Sequence, residues 1–135
     1  MAPTKVKCFS RLVVRKACLT HEALQKRELH LASTCPLCTE ANETNNHPFL
    51  HCKVTSHFWS FFVTLAAPEM LDQKGRKQKP KGMVENYPTC IWWTIWMERN
   101  ERIFKGKSIS IQKIKGKCIS TLFFWCKEQC IADEI

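Results

Sequence analysis

Cys35-Pro36-Leu37-Cys38, followed by His47 and Cys52, is the stretch that decides the reading of this chain. Its pattern is C-x2-C-x8-H-x4-C, with the ligand-type side chains all falling between residues 35 and 52. Thiolate and imidazole are the groups with which zinc builds a tetrahedron, and two cysteines separated by two residues let one tight turn supply two corners. The spacing therefore predicts a Zn2+ site on Cys35, Cys38, His47 and Cys52. His51 also precedes Cys52. On a helix, adjacent side chains diverge by about 100°, so His51 and Cys52 do not converge on one ion and His47 is the preferred ligand. Four protein ligands close the coordination sphere, whereas a catalytic zinc keeps a position open for water.

Working outward, Pro3 to Ala17 places Val6, Phe9, Leu12 (or Val13) and Ala17 near helical spacing, with a basic outer face. Thr20 reads as the N-cap of a short helix to Arg27 that buries Ala23 and Leu24. Leu29 to Thr34 is a connector and Thr39 to Asn46 a polar loop between the ligand pairs. Asn46 or His47 caps the next helix, with Pro48 in its first turn, where a missing N–H costs nothing. Val54, Phe58, Phe61 and Leu65 form its stripe, widened by Trp59 and Phe62, and Cys52 lies one turn inside it. Pro68 to Pro88 carries Gly75, Pro80, Gly82 and a run of basic residues, and reads as a mobile linker. Two more helices follow. One runs from Thr89 to Phe104 with Trp92, Ile95 (or Trp96), Arg99 and Ile103 on one face. The other runs from a Ser108 cap to about Cys130, burying Ile111, Ile114, Cys118, Leu122 and Trp125 through Gly116, a poor helix former. The expected fold is mainly α: a zinc-stapled helical module (1–67), a basic flexible linker (68–87) and a C-terminal pair of helices (88–135).

Composition narrows the function. The chain has 135 residues, a net charge of +9 and nine cysteines. No apolar run approaches the ~20 residues of a membrane span, and Arg11, Arg15 and Lys16 interrupt any signal-peptide core. An odd cysteine count without an export signal points to a reducing compartment, so an intracellular location, nucleus or cytoplasm, is expected. Cys126 and Cys130 share a helical face, but no partner completes a second metal site, and the cysteines outside the motif read as small core hydrophobes. The basic residues group at 5–27, 74–81 and 99–117. Such a surface attracts polyanions, and Lys5, Lys7, Arg15, Lys16, Lys26 and Arg27 are the candidate contacts to RNA or DNA. There is no Gly-rich phosphate loop, no nucleophile–His–acid order and no paired carboxylates for two-metal chemistry. The expectation is a non-enzymatic chain with no small-molecule substrate.

Lys5-Val6-Lys7-Cys8-Phe9, Leu19-Thr20, Leu24, Lys26-Arg27, the Cys35-to-Cys52 motif with Glu43-Thr44 and Phe49-Leu50, and Trp59 together resemble the zinc-binding domain of reverse transcriptases in plant non-LTR retrotransposon polyproteins. Ile95-Trp96-Met97-Glu98-Arg99-Asn100 through Phe104 resembles the Trp–x–x–Arg-Asn helix downstream of that domain. The resemblance implies zinc on Cys35, Cys38, His47 and Cys52 in a truncated stand-alone form or relic. The competing reading is a structural or interaction module, in which the zinc only staples helices and the Trp92-Trp93-Trp96 face docks on a partner chain, a polymerase or another protein. Arg11 stands where the family usually has Trp, and Pro48 where it commonly has Leu. Neither a polymerase Asp-Asp motif nor an RNase H carboxylate set is present.

Overall fold

A computed structural model of the chain describes residues 2–27, 34–66, 70–71, 77–78 and 83–134. The fold is mainly helical: α1 Thr4–Val14, α2 His21–Lys26, a single π-helical turn His47–His51, α3 Lys53–Ala66, α4 Met83–Phe104 and α5 Ile111–Glu134. Met70–Leu71 and Lys77–Gln78 form a two-residue antiparallel ribbon inside the expected linker. The rest of the 68–82 stretch, residues 28–33 of the expected connector, and the side chains of Phe62, Leu65 and Cys130 lie outside the described residues.

α1 buries Val6, Phe9 and Val13, one helical stripe. Leu12 stays 45% exposed, and Ala17 falls beyond the helix end. Lys16 ends α1 in the left-handed conformation (φ 57°). Its N–H bonds Val13 O (3.1 Å) and Ala17 N–H bonds Leu12 O (2.9 Å), the paired closure that satisfies the last carbonyls of a helix. α2 has the expected Thr20 cap, with Ala23 N–H donating to Thr20 Oγ1 at 3.3 Å. Its buried residue is His21, however, while Ala23 and Leu24 are only half-buried.

α4 starts at Met83 rather than Thr89, and Pro88 lies inside it. As the sixth residue of α4, Pro88 has no N–H to donate to the turn before it, a cost that the packed face beyond it offsets. Its packed face is Cys90, Ile91, Ile95, Glu98 and Arg99. α5 is capped by Ser110, not Ser108: Lys113 N–H donates to Ser110 Oγ at 3.3 Å. The start is delayed because α4 side chains hold Ile109 first. Ile109 N–H donates to Glu98 Oε1 (3.2 Å) and Arg102 donates to Ile109 O (3.5 Å). From there Ile114, Cys118, Leu122 and Trp125 are buried as expected, and Ile111 half-buried.

One apolar cluster joins the two ends of the chain. It contains Val6, Cys35, Leu37, Cys52 and Phe58 from the N-terminal part and Ile91, Ile95, Ile114 and Leu122 from α4 and α5. A second contains Phe9, Val13, Cys18 and Phe49, with Trp92, Trp93 and Trp96 against it. The Trp92-Trp93-Trp96 face, expected to dock on a partner, thus packs on its own chain. Phe9 meets Trp93 edge-on (5.5 Å), Phe49 stacks on Trp96 (5.8 Å) and Trp59 meets Trp92 edge-on (6.4 Å). Among the described residues, no helix is long and apolar enough to cross a membrane.

Candidate metal centre

The first ligand pair sits on a folded-back loop. Thr34 bridges Asn42 and Cys35 N–H donates to Ala41 O at 2.7 Å. Within that loop Thr39 N–H closes a turn onto Cys35 O at 2.9 Å, with Thr39 left-handed (φ 58°). The turn aims the N–H groups of Leu37 and Cys38 at the Cys35 sulfur, which favours its thiolate.

The second pair depends on the wide turn. Cys52 N–H donates to His47 O at 2.7 Å, an i to i+5 closure. An ordinary helical turn would set His51 beside residue 47; the extra residue brings Cys52 there and leaves His51 exposed. Cys52 is therefore not one turn inside a helix. It is an extended residue (φ −65°, ψ 134°) at the break before α3. Its sulfur accepts N–H bonds from Val54 and Thr55, so a ligand also caps α3 at its positive end.

The four ligand atoms lie within 4.8 Å of one another. Cys35 Sγ and Cys52 Sγ are 3.9 Å apart, and Cys38 Sγ and His47 Nε2 are 3.3 Å apart. A tetrahedral zinc with bonds near 2.3 Å to sulfur and 2.0–2.1 Å to nitrogen would set these edges at about 3.8 and 3.5 Å. The donor set and spacing fit such an ion. Cys35 and Cys52 are fully buried and His47 is 8% exposed. The Cys52 thiol is pulled down to about 5, first by the hydrogen bond from Cys35 and, against burial, by the α3 N–H groups. The Cys35 thiol is pushed up by the hydrogen bond it shares with Cys52 and by burial. Cys18, buried without such donors, is pushed up to about 11 by burial.

Residues 1–59 match a family described as zinc-binding in reverse transcriptase. The matched segment contains Cys35, Cys38, His47 and Cys52, the four residues of the candidate metal site. No curated protein and no solved structure matches the chain.

Two arginines of α4, beyond the matched segment, brace the loop of the candidate metal centre. Arg99 makes a two-pronged pair with Glu43: Nε to Oε2 at 3.0 Å and Nη2 to Oε1 at 2.6 Å. Both residues are 2% exposed. Glu43 Oε1 also accepts His21 N–H at 2.7 Å, and Arg99 lies over the Trp96 ring at 4.5 Å. Arg102 donates through Nη1 to Pro36 O and to Leu37 O, each at 3.2 Å. The sequence placed Arg99 on the apolar stripe of its helix, and a charge on such a stripe was the available signal for a buried pair. Glu43 stood out only as one of the residues that carry the resemblance, and nothing comparable marked Arg102.

The basic candidates are all exposed. Lys5 and Lys7 lie on α1, with Lys5 Nζ 5.7 Å from the Trp93 ring centre. Arg15 and Lys16 end that helix, and Arg27 ends α2. Lys26 pairs with Glu22 at 3.8 Å. Arg11, the residue in the place of an aromatic, is also exposed, one turn from Arg15 on the same face. It extends the basic row that sequence reasoning drew without it.

Proposed function

We propose that the chain is a zinc-stabilised, non-enzymatic domain of non-LTR retrotransposon reverse-transcriptase origin that binds nucleic acid through the outer face of α1. The supporting observation is the row Lys7, Arg11, Arg15 and Lys16, which is exposed and has no ion-pair partner among the described residues. With a net charge of +9, it favours phosphate contacts that fix position without reading bases. Zinc would hold Cys35, Cys38, His47 and Cys52 together and supply folding energy to the loop and to the start of α3. The free thiols that this requires favour a reducing, intracellular setting. The inward packing of Trp92, Trp93 and Trp96 counts against a protein-docking role for that face.

The test is fluorescence anisotropy with labelled RNA and DNA, single-stranded and duplex, across a salt series. Affinity should fall steeply with salt. An Arg11→Gln/Arg15→Gln chain should bind more weakly to every sequence and lose roughly 0.7–0.9 of log–log salt slope per lost phosphate contact. Absence of binding at low salt, or binding indifferent to salt, refutes the reading.

A further inference from the structure

The site's sulfur-facing peptides connect directly to a helix far along the chain. Arg102 Nη1 donates to Pro36 O and to Leu37 O. Each of those carbonyls shares a planar peptide unit with the next N–H, and those two N–H groups, of Leu37 and Cys38, point at Cys35 Sγ. Because the peptide is planar, holding its oxygen fixes the direction of its N–H. A cation on the oxygen also polarises the unit and strengthens the N–H···S bond at its other end. Arg102 is itself held: its Nε donates to Glu98 Oε1 at 2.9 Å, and Glu98 is 7% exposed.

We propose that Arg102 is a positioning residue of the metal centre, acting on Cys35 through two peptide planes, so that docking of α4 and metal binding form one coupled equilibrium. The inference rests on the reading of Cys35, Cys38, His47 and Cys52 as metal ligands. It extends the metal-binding unit beyond the matched residues 1–59 to a helix that ends at Phe104. Coupling is reciprocal: what α4 gives to metal affinity, the metal gives to α4.

The experiment uses the full chain. Zinc affinity is measured against a competing chelator, and cobalt serves as a spectroscopic probe of the thiolates. Groups that orient metal ligands typically change affinity 10- to 100-fold, so Arg102→Gln should weaken zinc binding about tenfold or more. Its thiolate-to-cobalt band should move to longer wavelength, because a sulfur with weaker N–H bonds gives up electrons more readily. Arg102→Lys, with a cation that can reach one carbonyl, should fall between, and the charge control Lys113→Gln should match the wild type. A folded Arg102→Gln chain with zinc affinity within about twofold of wild type and an unmoved band overturns the proposal. Should that variant not fold, hydrogen exchange of the wild type decides: zinc should slow the amides of α4, and unchanged α4 exchange overturns the coupling. A wild-type chain that binds no zinc or cobalt refutes the metal reading itself, a result distinct from either.

Discussion

At His47 a single extra backbone residue selects the imidazole that faces the sulfurs. The His47-to-Cys52 closure sets these two side by side and turns His51 to solvent. His47→Ala should therefore abolish stoichiometric zinc, and His51→Ala should keep one zinc per chain, both read by metal analysis of the purified protein. Equal loss in both would contradict the geometry. Much of this was legible, because ligand spacing is a local property. An ordinary helix around Cys52 would also turn His51 away from the ligands, but the structure reaches that exclusion through the wide turn. The Glu43–Arg99 pair was not legible: the partners are 56 residues apart, and no periodicity or spacing rule links a loop carboxylate to a distant guanidinium.

Among the elements, α1, α3 and α5 follow from their apolar stripes, since a helix that buries one face must repeat its hydrophobic residues near every third or fourth position. Boundaries were harder. Pro88 read as a stop, yet α4 runs through it, and the Ile109 backbone is held by Glu98 and Arg102, which shifts the α5 cap from Ser108 to Ser110. Neither contact is local to the residue it decides. Gly116 tests the element directly. It is exposed within α5, and a Cβ there would meet nothing within 4 Å. Gly116→Ala should raise stability by about 0.5–1 kcal/mol through helix propensity and a less flexible unfolded chain. Urea denaturation should show a higher midpoint with an unchanged slope; a lower midpoint would mean that α5 is not a regular helix at that position.

For the whole molecule, the Glu43–Arg99 pair acts as a clamp between the loop of the metal centre and α4. Removing one partner of a buried pair strands the other charge, at a cost of about 3–5 kcal/mol. Arg99→Ala should destabilise the chain by roughly that amount in denaturant titrations. Combining it with Glu43→Gln should recover part of the loss, because no full charge is then left buried. Additive losses in the double variant would show that the two side chains do not interact. The mainly helical class was readable from pattern alone, whereas the joining of both chain ends in one core was not, since residues 68–87 looked like a separator. The clamp also sets an order of events on the ribosome. Glu43 is synthesised first and Arg99 follows 56 residues later, an interval of roughly 3–11 s at about 5–20 residues per second. Throughout that interval Glu43 lacks the guanidinium that it pairs with in the folded chain, and a carboxylate without its counter-charge resists burial. The order of synthesis thus gives the ligand cysteines a window for metal loading before α4 emerges to brace their loop.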